Sequence, residues 1–127
     1  MMTKQPLDPH RIRKVPAQFS WVDHRLVRDR HIEYCSHPAA ALYLFLVTVS
    51  DARGLSYYSD ASLMQRLSMD NDTLHQARQN LLRLGLIAYK KPLCQVLALD
   101  LPAQRVSLPE GPLSMGEILR KIAGGDA

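Results

Sequence analysis

The sequence predicts a mainly α-helical domain with a small antiparallel β-sheet, an α+β class. Residues 38–49 are almost continuously apolar over the length of a helix. Residues 60–84 contain two further helical patterns on either side of a polar turn at residues 68–71. Residues 86–99 then contain two β-prone segments separated by Lys90, Lys91 and Pro92. This order predicts a core of three helices and a sheet of two or three strands.

The charge of the chain is modest and unevenly distributed. The 127 residues have a formal net charge of +4 and a pI of about 9.3, which favours a polyanionic partner without requiring one. Residues 1–35 contain seven Lys/Arg and four Asp/Glu, residues 36–91 contain six and four, and residues 92–127 contain three and four. A hydrophobic content of 46% can supply the core of one domain.

Residues 1–18 are predicted to form a basic, extended arm, because three prolines oppose a helix there. Arg11, Arg13 and Lys14 could contact DNA phosphates, and the alternative is a solvated terminus. We expect Phe19 and Trp21 to anchor this arm to the core.

A short helix is predicted after the arm, over residues 23–34. Asp23 would cap it, and Leu26, Val27 and Tyr34 would face inward. Its arginines could contact phosphates or pair with neighbouring carboxylates, and the sequence leaves both alternatives open.

The apolar helix over residues 39–52 should be central and buried, because it is hydrophobic on nearly every side. Ser36 or His37 is expected to cap it, and Pro38 is tolerated in a first helical turn. Residues 55–59 are short, aromatic and β-prone, which predicts a strand that pairs with the later hairpin.

The next two helices are predicted from caps and apolar periodicity. Asp60 can cap the first helix, and Asp70 or Asn71 the second. Gly85 is expected to end the second helix in a left-handed conformation. The inward face of this second helix, at residues 71–84, has helical spacing and consists of Leu74, Ala77, Leu81 and Leu84.

The opposite face of this second helix carries side chains that suit base recognition. Gln can pair with adenine, Arg with guanine, and His can reach a base or a phosphate. Arg78 lies nearer the buried edge, and the alternative is an ordinary solvated helix face. The candidate base contacts are His75, Gln76, Gln79 and Arg83.

These patterns resemble winged helix-turn-helix domains. The resemblance covers roughly residues 36–99. It is carried by Ala39-Ala40-Ala41-Leu42-Tyr43-Leu44, Gly54-Leu55-Ser56-Tyr57-Tyr58, the helix pair and Leu84-Gly85-Leu86-Ile87. These stretches are similar to those in the domains of bacterial replication initiators, GntR-type regulators and small proteins of mobile elements. The resemblance implies a domain over residues 19–100 that binds double-stranded DNA, with the helix at 71–84 in the major groove. Strands at 86–90 and 93–99 would form the wing.

The resemblance also implies phosphate contacts, from Thr73, Arg78 and the wing-tip lysines Lys90 and Lys91, together with the arm. The alternative for Lys90 and Lys91 is a pair of solubilising turn residues. The protein would be a transcriptional regulator or an accessory factor of replication or of a mobile element. The alternative is a protein-interaction module that serves as an accessory subunit of a nucleoprotein assembly. Asp70 and Asp72 favour this alternative, because they oppose phosphate approach.

The last quarter of the chain is predicted to be a Pro-rich linker at residues 101–113 and a short amphipathic helix at residues 114–123. So short a helix is not stable alone, so its apolar stripe needs a surface. That surface could be the core of its own domain, a second copy in a homodimer or a partner protein, and we expect a contact outside its own domain. The stripe consists of Met115, Ile118, Leu119 and Ile122.

No enzyme, cofactor or metal site is predicted. The five histidines are scattered, and Cys35 and Cys94 lack the spacing of a zinc or redox motif. No phosphate-binding loop, small-molecule ligand site, apolar signal core or membrane span is evident, so we expect a cytoplasmic protein. The resemblance implies that it is bacterial.

Overall fold

The computed structural model describes residues 3–100 and confirms the α+β class. In this part of the chain, four α-helices accompany one antiparallel sheet with the strand order β1-β3-β2. The helices are α1 (Arg25–Arg28), α2 (His37–Val49), α3 (Asp60–Leu67) and α4 (Asn71–Arg83), and the strands are β1 (Leu55–Tyr57), β2 (Ile87–Lys90) and β3 (Leu93–Val96). The predicted linker at 101–113 and helix at 114–123 lie outside the described residues.

The ends of the three longer helices follow the capping chemistry of the sequence. Ser36 caps α2 and Asp70 caps α4, as predicted. Ser59, rather than Asp60, caps α3, because its side chain accepts from the backbone N–H of Ser62 at 3.1 Å. Gly85 adopts a φ of 73°, the left-handed conformation expected after α4.

The sheet joins β1 to the predicted hairpin. Residues 55–57 pair with β3 in the register Leu55–Gln95 and Tyr57–Leu93, which confirms the expected pairing. The strands are shorter than predicted, and β3 ends at Val96. Gly54 precedes β1 with a φ of 84°, and a Cβ there would lie 2.6 Å from the Val96 carbonyl oxygen. The close approach of the two backbones therefore requires glycine at this position.

The core lies between α2, α3, α4 and the inner face of the sheet. Its largest fully buried side chains are Leu42, Leu74, Leu81 and Leu86, which come from α2, α4 and the segment before β2. The mostly apolar helix α2 is central, as its composition predicted, and it packs against α4. Burial of each such leucine contributes about 1.5–3 kcal/mol.

The segment before α2 differs from its prediction in two ways. The expected helix over residues 23–34 is divided into α1 and a 3₁₀ helix over His31–Tyr34, because Arg30 has a left-handed φ of 67°. Leu26 is buried as expected, but Val27 and Tyr34 are exposed. The anchor prediction was also wrong: the exposed fractions of Phe19 and Trp21 are 63% and 74%.

The N-terminal arm is mostly irregular, with one short 3₁₀ helix over Pro9–Arg11. Asp8 caps this turn by accepting from the backbone N–H of His10 at 3.1 Å. The arm is therefore not extended throughout, although its described residues are exposed as expected.

Asn80 connects α4 to the start of α2. This side chain is 8% exposed, and its amide oxygen accepts from the backbone N–H of Ser36 at 2.7 Å. Its amide nitrogen donates to the backbone carbonyl of Tyr34 at 3.1 Å. One buried amide therefore satisfies a donor and an acceptor of the turn that leads into α2.

We expect Asn80→Ala to lower the free energy of unfolding by about 1–3 kcal/mol, because it leaves two backbone groups of this turn without their partner. Urea denaturation followed by circular dichroism measures this. Gln79→Ala is the matched control, since it removes an exposed amide from the same helix and should change stability by less than about 0.5 kcal/mol. Equal losses from both variants would contradict the role of Asn80.

Acid should destabilise the fold through three aspartates that are hydrogen-bonded in the native state. Bonds from Arg25 lower the pKa of Asp23 to about 2, and bonds from Leu55 and Thr73 lower the pKa values of Asp51 and Asp70. A carboxylate whose pKa is lowered by folding stabilises the fold above its unfolded pKa of about 3.9. That stabilisation is lost as the pH falls through the folded value.

We therefore expect the free energy of unfolding to decrease as the pH falls from about 4 towards 2. Urea titrations at a series of pH values measure it, and Asp70→Asn should decrease less steeply because the amide keeps a cap that does not titrate. A stability that is constant between these pH values would contradict this account.

Candidate nucleic-acid interface

The outer face of α4 carries four exposed polar side chains, His75, Gln76, Gln79 and Arg83. Leu74, Ala77 and Leu81 are buried on the opposite side, so the predicted division of the helix into two faces is confirmed. Within residues 3–100, no hydrogen bond or ion pair engages the four outer side chains. Their donors and acceptors therefore point to solvent. At 13 residues, α4 is about 20 Å long, and it can lie in a major groove.

The N-terminal end of α4 is acidic. Asp70 accepts from the backbone N–H of Thr73 at 2.7 Å, and hydrogen bonding by the Thr73 side chain and backbone lowers the pKa of Asp70. Asp72 is exposed in the same turn, and Thr73 is half-buried. One N–H group of this helix end is therefore already used, and two carboxylates oppose an approaching phosphate. The geometry does not favour the predicted phosphate contact of Thr73.

Arg78 lies on the buried side of α4, as its place on the helix predicted, but this position does not suit the predicted phosphate contact. Its exposed fraction is 7%, and its Nη2 lies 2.6 Å from Oδ1 of Asp60 on α3. Its guanidinium carbon also lies 4.2 Å from the ring centre of Tyr89 on β2, a cation–π contact. A buried guanidinium with these two partners cannot reach a phosphate without leaving them. Arg78 therefore links α3, α4 and the hairpin, and it is not a candidate phosphate contact.

The β2–β3 hairpin presents basic side chains at its tip. Lys90 and Lys91 are both exposed, and the turn is formed by Lys91 and Pro92. The sheet register places Tyr57, Leu93 and Lys90 in one row across the three strands, and paired residues share a face.

Tyr57 extends this basic tip. Its exposed fraction is 71%, and its phenol can donate to an anion on the same face as Lys90. The following Tyr58 is half-buried and packs edge-to-face on Phe45, with ring centres 5.1 Å apart. Of these two tyrosines, Tyr57 is therefore the one whose hydroxyl could reach a phosphate. Alternation along β1 was the signal that could have found it.

The other basic side chains fall into two groups. Those of α1 and the following turn pair locally. The pairs are Arg25 with Asp23 and Asp100, Arg28 with Asp29, and Arg30 with Glu33. By contrast, the arm residues Arg11, Arg13 and Lys14 are exposed, and no ion pair involves them within the described chain. The arm therefore keeps cationic side chains that can meet a polyanion.

No other chemical site is evident in residues 3–100. Burial raises the pKa values of both thiols, Cys35 and Cys94, which disfavours the reactive thiolate. This part of the chain contains no cluster of three or more His, Cys, Asp or Glu that could hold a metal ion. It also contains no helix with the length and hydrophobicity needed to cross a bilayer.

Comparisons of the chain with protein-family models, curated proteins and solved structures found no match. The function is therefore inferred from the side chains themselves. Three features bear on it: the outer face of α4, the tip of the hairpin with Tyr57, and the basic arm.

The two arginines of α4 should contribute very differently to stability. We expect Arg78→Met to lower the free energy of unfolding by about 1–3 kcal/mol, because it removes a charge-assisted hydrogen bond and a cation–π contact while Asp60 stays partly solvated. Arg83→Met, the matched control on the exposed face, should change stability by less than about 0.5 kcal/mol. Urea denaturation compares the two variants. Equal stability of the Arg78 variant and the unmutated protein would refute the structural role of Arg78.

Proposed function

We propose that this protein binds double-stranded DNA through a winged helix-turn-helix. In this proposal α3 and α4 are the helix-turn-helix pair, and the β2–β3 hairpin is the wing. The order of the elements and the strand order β1-β3-β2 support it. The observation that carries it is the division of α4 into two faces. Its inner polar side chains are bonded within the domain, and four outer ones face solvent.

Each outer side chain of α4 has a role in the proposed complex. Gln76 and Gln79 have the amide that pairs with adenine, Arg83 has the fork that pairs with guanine, and His75 can donate to a base or a phosphate. Because Asp70 and Asp72 make the start of α4 acidic, base reading would fall on its middle and end rather than on its first turn.

The phosphate contacts would come from outside α4. Lys90 and Lys91 at the hairpin tip carry charge without needing the geometry of a base edge, and Tyr57 lies on the same face as Lys90. The arm adds Arg11, Arg13 and Lys14. Such a protein would act as a transcriptional regulator or as an accessory factor in replication or in a mobile element.

The test is to compare two sets of variants by fluorescence anisotropy, on a duplex selected for tight binding and on a random duplex. We expect Gln79→Ala to reduce the preference for the selected duplex by about 1–3 kcal/mol, because a base contact discriminates between sequences. The double variant Lys90→Ala, Lys91→Ala should weaken binding to both duplexes alike. It should also reduce the slope of log K against log salt by about 2.

Gln65→Ala serves as the control, because Gln65 is an exposed glutamine on α3 and should leave the sequence preference unchanged. If the Gln79 and lysine variants weakened both duplexes equally, the assignment of base-reading and phosphate-binding roles would fail. No binding of the unmutated protein to either duplex at low salt would refute DNA binding itself.

A second candidate function is a protein-interaction module that serves as an accessory subunit of a nucleoprotein assembly. The observation that favours it is the acidic start of α4, where Asp70 and Asp72 meet any approaching backbone. The net charge of only +4 also supports it. The absence of DNA binding in the anisotropy experiment, with a folded protein, is the outcome that this candidate predicts.

A further inference from the structure

A groove of about 660 Å³ lies away from the outer face of α4. It is formed by residues 19–21, Asp23 and Arg25, the C-terminal half of α2 with the following turn, and residues 95–100. The hydroxyl of Ser20 donates to the backbone carbonyl of Thr48 at 3.1 Å, which holds the segment after the arm against α2. The larger apolar and aromatic side chains that line it are Phe19, Trp21, Tyr43, Val47, Val96 and Leu99.

Two aromatic side chains that line this groove are largely exposed to solvent. Trp21 is 74% exposed and Phe19 is 63% exposed, although the hydrogen bond of Ser20 fixes the backbone between them. Exposed aromatic side chains beside a groove mark a surface that binds another apolar group. Neither ring belongs to the proposed DNA interface.

The described chain ends at the rim of the same groove. Asp100 lines it and pairs with Arg25, which also pairs with Asp23. Residues 101–127 therefore start where the groove lies. The predicted linker at 101–113 has 13 residues and can span up to about 45 Å when extended. That reach exceeds the radius of gyration of a domain of about 100 residues, about 13 Å, several times over.

We propose that the groove is the docking surface for residues 114–123 of the same chain. The apolar stripe of this segment suits the apolar walls, and its four members are Met115, Ile118, Leu119 and Ile122. A short linker gives the segment a millimolar effective concentration at its own groove, which favours this contact over one with a second copy.

Charge is also complementary between groove and segment. The lining of the groove contains three aspartates and two arginines, a formal charge of −1. Residues 114–123 contain Arg120, Lys121 and Glu117, a formal charge of +1. The proposal differs from the expectation of a contact outside the domain, because the groove offers a suitable surface within the chain. It does not depend on the proposed DNA binding.

The single tryptophan of the chain reports on this contact. Trp21 fluorescence of the full chain would be compared with that of the full chain carrying Ile118→Ser and Leu119→Ser, without DNA. We expect the double substitution to shift the emission of Trp21 to longer wavelength and to increase its quenching by acrylamide. Arg120→Lys is the control, because it keeps the charge and does not alter the apolar stripe. It should change neither the emission wavelength of Trp21 nor its quenching by acrylamide.

Two further measurements make the test decisive. A peptide of residues 114–123, added in excess to the double variant, should restore the shielding of Trp21, whereas a scrambled peptide should not. Light scattering should give a monomeric mass with shielding that is independent of protein concentration. Unchanged quenching in the double variant would overturn the proposal. Shielding that increases with concentration together with a dimeric mass would also overturn it, in favour of docking between two copies.

Discussion

Two polar side chains on the inner face of α4 constrain the whole domain. Arg78 and Asn80 are buried among leucines, where an unsatisfied donor or acceptor costs about 1–3 kcal/mol. Arg78 is satisfied by Asp60 on α3 and stacks on Tyr89 of β2, and Asn80 is satisfied by the turn that leads into α2. Apolar packing alone tolerates a helix that rotates or slides. These directional contacts favour one rotation of α4, and they set it relative to the other helices and the hairpin.

That constraint determines what α4 can offer to a partner. With the inner polar groups bonded inside the domain, the helix presents His75, Gln76, Gln79 and Arg83 together on the other side. The Arg78–Tyr89 contact also links α4 to the strand that ends in Lys90. A base-reading surface and a phosphate-binding surface would thus be held in a fixed relation, which reduces the entropy cost of binding a rigid duplex.

Local chemistry made much of the fold predictable. The caps at Ser36 and Asp70, the left-handed Gly85 and the pairing of β1 with the hairpin each depend on neighbouring residues or on alternation. The outer face of α4 was also predictable, because helical periodicity alone separates it from the buried leucines.

The predictions that failed depend on contacts between residues far apart in the sequence, or on a backbone conformation that residue type does not indicate. Arg78 is a natural phosphate ligand by residue type, and its partner Asp60 lies 18 residues away on another helix. Trp21 suggested a core anchor by its hydrophobicity, yet the described core does not enclose it. The left-handed Arg30 that divides the predicted helix over residues 23–34 has no marker such as glycine in the sequence. Asp60 is a good cap by residue type, but it stands one residue after the true cap, Ser59.

The most direct test of the central claim is an NMR titration of the ¹⁵N-labelled full chain with a DNA duplex at low salt. If α4 and the hairpin bind DNA, the largest chemical-shift changes fall on residues 75–83 of α4, including Asn80, and on Lys90, Lys91 and Tyr57. The signals of α1, where the arginines pair locally, should change little. Shifts concentrated on α1 or on the groove beside Trp21, or the absence of any shift, would contradict it.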